Sequence, residues 1–209
     1  MEKTSDKLLS IEAARSNTYR LLADAYRLPS EDLPGVVQAL VTALSQLESE
    51  ALESAICLEN GGLDSNVLQV DYAKLFIGPF MALAPPYGSI YLEDKRRLMG
   101  DSTVDVRQHY LSLGLDLSVD FKEAPDHITA ELEFMHVLIN QAEGAIEDLD
   151  GQLLSENIHH QQIFLEKHLG AWITAFADKM AEHANTDYYR NLATLTRIFI
   201  TEDMVALPN

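Results

Sequence analysis

The sequence predicts an all-α fold, a single domain over residues 1–209 built as a bundle of roughly nine to eleven helices. Three observations predict it. Gly and Pro contribute only 10 and 7 of the 209 residues, and long stretches contain neither. Apolar residues recur at steps of three and four along most of the chain. There is no internal repeat, low-complexity tract or linker to divide it. A chain of this length buries roughly 70% of its unfolded surface and needs no staples to fold.

The elements follow in order. A first helix is expected from Ser5 or Asp6 to just before Pro29, with Tyr19, Leu22 and Tyr26 on one stripe. A second runs from about Pro34, a residue suited to a first helical turn, to Leu47, with Val37, Leu40, Val41, Leu44 and Leu47 inward. A third covers about Glu50 to Leu58 and stops at Gly61-Gly62, a C-terminal signal. Cys57, the only cysteine, is expected to be a small buried side chain there and permits no intrachain disulfide. A fourth starts near Asp64 and carries Val67, Leu68, Tyr72, Leu75 and Phe76. Further helices are expected over Leu92–Leu98 and from an Asp101 N-cap to Gly114. After a connection over 115–124, Pro125 opens a long helix with Ile128, Leu132, Met135, Ile139 and Ala142 inward. One or two helices then bury Leu165, Leu169, Trp172, Phe176 and Met180, and a last one buries Tyr188, Leu192, Leu195 and Phe199.

One segment breaks the pattern. Residues 76–91 contain three prolines and two glycines, which forbid a continuous helix, yet most of the remaining side chains are apolar. An apolar loop must be covered by the fold or present a binding surface. Its aromatics (Phe76, Phe80, Tyr87 and Tyr91, with Tyr72 just before) are core candidates that the Gly-Pro and Pro-Pro pairs can shape into a groove.

Lys and Arg total 15 against 33 Asp and Glu, a net charge of −18. That excess argues against duplex nucleic acid and anionic membranes, which both select basic surfaces. It suits a basic partner. Residues 1–10 lack the apolar core of a signal peptide, and no run approaches the ~20 apolar residues of a membrane helix. The cytoplasm is the expected compartment. Arg96-Arg97 is a twin arginine, but it is internal and no apolar run follows it.

Phosphate-cradling and serine-hydrolase motifs are not written in the chain. Two E-x-x-H motifs are: Glu133/His136 and Glu156/His159. On a helix, i and i+3 share a face, so each pair can reach one metal, as in di-iron bundles. This is the alternative reading, a helical metal-binding protein. Against it, Glu133 lies about 100° from the Ile128 stripe. Glu123-Ala124-Pro125-Asp126-His127 reads as a helix start, with Asp126 in the first turn favoured by the macrodipole. A plain acidic adaptor for some other basic partner is a third reading.

Two of these segments carry a resemblance. Tyr72-Ala73-Lys74-Leu75-Phe76-Ile77-Gly78-Pro79 resembles the aromatic-x-x-Leu-Phe-x-Gly-Pro motif of the TorD/DmsD/NarJ chaperones, and Glu123–His127 resembles their E-x-P-D-H motif. Between them, Pro85–Tyr91 and Leu98–Thr103 look most like the DmsD branch, with Tyr87 standing where its closest members carry Trp. The resemblance implies an all-α, non-enzymatic cytoplasmic chaperone with no catalytic residue, cofactor or metal. It implies binding of the twin-arginine signal peptide, and of the precursor, of a molybdopterin-dependent DMSO/TMAO-type reductase before Tat export. It extends to contact with the Tat translocase, and to a monomer or a helix-swapped dimer. The family's binding residues fall here on Tyr72, Leu75, Phe76, Pro86, Tyr87, Ser89, Tyr91, Asp126 and His127, with Glu123 as added charge. Asp126 is expected to accept a guanidinium, an arrangement that can be bidentate.

Overall fold

The computed structural model describes residues 2–79, 81–94 and 98–208, with side chains from Asp6 onward. The helices are α1 (Glu2–Ala25), α2 (Leu33–Leu47), α3 (Leu52–Asn60), α4 (Ser65–Tyr72), α5 (Ser89–Leu92), α6 (Asp101–Ser112), α7 (Ile128–Glu147), α8 (Gly151–Lys167), α9 (Leu169–His183) and α10 (Asp187–Ala206), with a π-helical turn over Ala73–Ile77. This is the expected all-α architecture. Among the described residues the β pairing is one isolated antiparallel bridge, Tyr87 to His127. No helix among them is long and apolar enough to cross a membrane.

Helix α7 is the axis. Its Ile128, Leu132, Met135, Ile139 and Ala142 are all buried, between α1 on one side and α8 on the other. Helix α1 also packs on α2, and the α9–α10 hairpin meets α3 through α10. The expected inward residues of α9 and α10, from Leu169 to Phe199, are buried as well. Val41 and Leu47 of α2 are only half-buried against this core.

Several local expectations are corrected. Cys57 is exposed, because α3 turns Ala51, Ser54, Ala55 and Leu58 inward and Cys57 falls on the opposite face. Val67 is likewise 55% exposed beside a buried Leu68. The helix expected from Leu92 to Leu98 is displaced: α5 is a single turn over Ser89–Leu92, Glu93 is extended (φ −107°, ψ 140°), and residues 95–97 lie outside the described residues. Glu93 instead caps α6 from a distance, accepting the Ser102 N–H at 3.0 Å and the Ser102 hydroxyl at 2.8 Å. Asp101 is therefore the first residue of α6 and Gly100 its N-cap. Pro125 lies ahead of α7, whose N-cap is His127. Phe80 and Arg96-Arg97 lie outside the described residues.

Two buried carboxylates fasten the bundle. Asp71 of α4 accepts the backbone N–H of Asn185 (2.9 Å) and Thr186 (2.8 Å) and the Thr186 hydroxyl (2.8 Å), tying α4 to the start of α10. Asp203 of α10 pairs with Arg15 and accepts the Tyr19 hydroxyl at 2.7 Å, while Arg15 also donates to Gln161 of α8 at 2.6 Å. Removing one partner of a buried pair leaves the other charge uncompensated. Asp203→Ala is therefore expected to cost about 3–5 kcal/mol, read as a lower urea midpoint.

Candidate functional site

The π-helical turn ends abruptly. Gly78 donates to Ala73 O at 2.6 Å and adopts φ +66°. A Cβ there would lie 2.3 Å from Met81 O, so only glycine fits. The chain then runs as an irregular loop with Ile77 and Met81 largely exposed and Ala84 buried, its N–H on Leu75 O at 2.8 Å.

The end of this loop pairs with the segment before α7. Gly88 N–H donates to Asp126 O (2.9 Å), and Ile128 N–H donates to Pro86 O (2.9 Å). The Asp126 carboxylate accepts the Ser89 N–H at 2.7 Å, satisfying the first turn of α5 from another part of the chain. Next to it, His127 accepts the Thr129 N–H through Nδ1 (3.2 Å) and caps α7. The Tyr87 and His127 rings meet edge to face, with centroids 5.1 Å apart. The two motifs singled out in the sequence are thus one paired unit.

Under the pairing lies a buried polar layer. Trp172 donates its indole N–H to Glu131 at 2.9 Å and stacks on Tyr91 with centroids 5.6 Å apart. Gly88 covers them; a Cβ at this position would stand 3.0 Å from Trp172 Nε1 and 3.2 Å from Glu131 Oε1. Burial pushes the Glu131 carboxyl well above its ordinary range, the Trp172 hydrogen bond opposes the rise, and Asp126 adds to it. Burial also lowers His127 to about 4, which leaves its ring neutral at pH 7.

Beside this unit opens a cleft of about 640 Å³. Its apolar walls are Tyr110 of α6, Ala130, Phe134 and Val137 of α7, Leu115, Leu117 and Phe121 of the connection, and Leu28. Its polar lining includes Tyr72, His127 and four carboxylates: Asp116, Asp120, Glu123 and Glu133. Asp116 pairs with Arg107 at 2.9 Å and Glu133 with Arg27 at 2.5 Å. Glu123 accepts the Tyr87 hydroxyl at 2.5 Å, and neither Glu123 nor Asp120 makes an ion pair among the described residues. Burial and Glu123 raise the Tyr72 hydroxyl, and burial with the Glu123 bond raises that of Tyr87, so both stay protonated donors.

Of the expected site residues, Tyr72, Glu123 and His127 line the cleft, and Tyr87 reaches it through Glu123. Leu75, Phe76, Pro86, Ser89 and Asp126 are buried, and Tyr91 is half-buried on Trp172. Asp126, only 1% exposed, is turned inward to the Ser89 N–H rather than toward the cleft. Sequence reasoning missed the floor from Tyr110 and Phe134 and the wall over 115–121. The second carried a signal: Leu115, Leu117, Val119 and Phe121 alternate with polar residues in what reads as a connector. The E-x-x-H motifs do not converge. Glu133 holds Arg27, His136 faces the Ser16 hydroxyl at 2.8 Å, and Glu156 accepts from Gln152 on an exposed face of α8.

Comparison with known proteins bears on this geometry. The sequence model described as "Nitrate reductase delta subunit" matches residues 32–178. The Tat proofreading chaperone DmsD of Salmonella typhi is 28% identical over 182 residues, covering 85% of this chain and 81% of that protein. The chaperone protein TorD of Psychrobacter sp. (strain PRwf-1) is 29% identical over 217 residues, covering 97% and 96%. A crystal structure described as that of a redox enzyme maturation protein from Archaeoglobus fulgidus shares the fold with TM-score 0.57 at 23% identity, covering 89% of this chain and 93% of that one.

His127 sets a pH dependence. Its folded value is depressed from 6.5 to about 4, so the stability it contributes is present above 6.5 and lost as pH falls toward 4. The full loss from this one group is on the order of 3 kcal/mol. His127→Asn keeps a capping acceptor without a titrating ring. Its urea midpoint is expected to fall less than that of the wild type between pH 7 and pH 4.5.

Proposed function

The chain belongs to the nitrate reductase delta subunit family, and on that premise we propose that it is a cytoplasmic maturation chaperone. In this reading it binds the twin-arginine signal peptide of a molybdoenzyme precursor and withholds it from the Tat translocase until the molybdopterin cofactor is inserted. The observation that carries the reading is the cleft with apolar walls and carboxylates at its edge. A twin-arginine signal joins a basic Arg-Arg region to a modest apolar segment. The cleft offers both complements.

Glu123 and Asp120 are the acceptors for guanidinium, and a planar fork of N–H donors meets a carboxylate bidentately. Tyr87 orients Glu123 through its hydroxyl. Phe121, Phe134, Leu115 and Leu117 receive the apolar segment, each well-buried aliphatic or aromatic side chain of which contributes about 1.5–3 kcal/mol before ordering costs. Asp126 acts as a positioning residue: it holds the loop that presents Tyr87 and does not touch the peptide. The net charge of −18 raises the encounter rate of a basic segment and makes it sensitive to salt. Ordering a flexible peptide on binding holds the affinity to moderate values.

Titration of a fluorescent Arg-Arg signal peptide tests this. Glu123→Gln and Phe121→Ala are each expected to weaken binding about tenfold at unchanged thermal stability, and Glu123→Gln also to flatten the salt dependence. Asp126→Ala is expected to lower stability and binding together. Titration curves unchanged in both Glu123→Gln and Phe121→Ala would overturn the assignment.

A further inference from the structure

On the side of α6 away from the cleft, three metal-ligating side chains converge. Asp105 and His109 are four residues apart on α6 and share a face. His168 occupies the break between α8 and α9, with φ −122° and ψ −105°, where it serves as the boundary residue of both helices. One donor atom from each of the three lies within 4.8 Å of the others. His168 Nε2 is 3.2 Å from Asp105 Oδ2, and the two imidazole rings are 5.0 Å apart, near perpendicular.

The burial pattern sets this cluster apart from surface charge. The His168 side chain is only 2% exposed; its Nδ1 has no hydrogen-bond partner among the described residues, and its Nε2 meets only the Asp105 carboxylate. A buried ring nitrogen left so costs free energy that a bound partner would recover. Phe164 walls one side, its ring 5.2 Å from His168 and 6.0 Å from His109. Asp105 is 53% exposed and leaves the other side open to solvent.

We propose that Asp105, His109 and His168 form a binding site for a divalent cation of the zinc class. Two imidazoles and one carboxylate are a borderline donor set that suits Zn²⁺ and disfavours Mg²⁺, which takes oxygen ligands. A tetrahedral ion with Zn–N near 2.0–2.1 Å needs donors about 3.4 Å apart, so the present spacing closes by small side-chain rotations. Water fills the fourth position on the Asp105 side. Lys167 and His160 lie close enough to act on His109 electrostatically, and Lys167 is exposed to solvent, which screens its charge. The bound ion ties α6 to the α8–α9 junction. Helix α6 brings Tyr110 to the cleft and, through Arg107, holds Asp116, so the ion braces one wall of the cleft from behind. The site stands on these residues alone and is independent of what the cleft binds.

The test is Zn²⁺ titration of the full chain, stripped with a chelator, in competition with a chromogenic zinc indicator. The wild type is expected to take up one equivalent with Kd of about 1 µM or tighter. Asp105→Asn and His109→Ala, both outside the packed core, are expected to weaken it about tenfold or more. Zn²⁺ is expected to raise the melting temperature of the wild type and not of the double variant, and Co²⁺ to give tetrahedral d–d absorption in the wild type alone. Absence of stoichiometric uptake by the wild type, or equal uptake by wild type and double variant, would overturn the proposal.

Discussion

The structure depends on how the chain disposes of backbone hydrogen-bonding groups in a loop that cannot be helical. Pro79, Pro85 and Pro86 remove three donors and block regular structure between the π-helical turn and α5. The buried groups that remain, at the end of the loop, must find partners away from water. They find them in the segment before α7, through Gly88 to Asp126 O, Ile128 to Pro86 O, and Ser89 to the Asp126 carboxylate. Neighbouring residues thus serve two helices, Asp126 satisfying the start of α5 and His127 the start of α7. Glu93 repeats the device for α6. Short helices that cannot stand alone are held by side chains supplied from elsewhere.

This explains which parts were legible in the sequence. Stripes such as Ile128 to Ala142 or Leu169 to Met180 report one helix face, and they place the core correctly because period 3.6 is a local property. Cys57 and Val67 fail for a local reason too: they lie among apolar neighbours, but helical phase turns them outward. The distant caps were not legible. Nothing within four residues of Ser102 says that Glu93 reaches it, and Asp101 is the better cap by propensity alone. The cleft was half legible. Tyr72 and Glu123 came from motifs, whereas Tyr110, Phe134 and Leu117 meet only after α6, α7 and the connection fold together.

The acidic composition divides in the same way. Carboxylates inside the molecule are fasteners: Asp71 on the start of α10, Asp203 on Arg15, Asp126 on Ser89. Glu131 is a harsher case, fully buried with one oxygen on Trp172 and its carboxyl pushed well above the ordinary range by burial. Carboxylates buried against donors in this way add little to a long-range field. The field of a −18 chain comes from its exposed acids, and at the cleft two of them, Glu133 and Asp116, are already matched by Arg27 and Arg107.

The motif Glu123–His127 makes the division concrete within five residues. Glu123 faces outward to Tyr87 and the cleft, while Asp126 faces inward to Ser89. A motif recognised as a unit therefore holds two environments, one open to the cleft and one buried in the fold, that burial alone separates. Helix α6 shows the same economy at larger scale. Val106 and Tyr110 point into the core and toward the cleft, and Asp105 and His109 face the α8–α9 junction. One helix of three turns thus connects the wall that a peptide would touch to a side-chain cluster behind it.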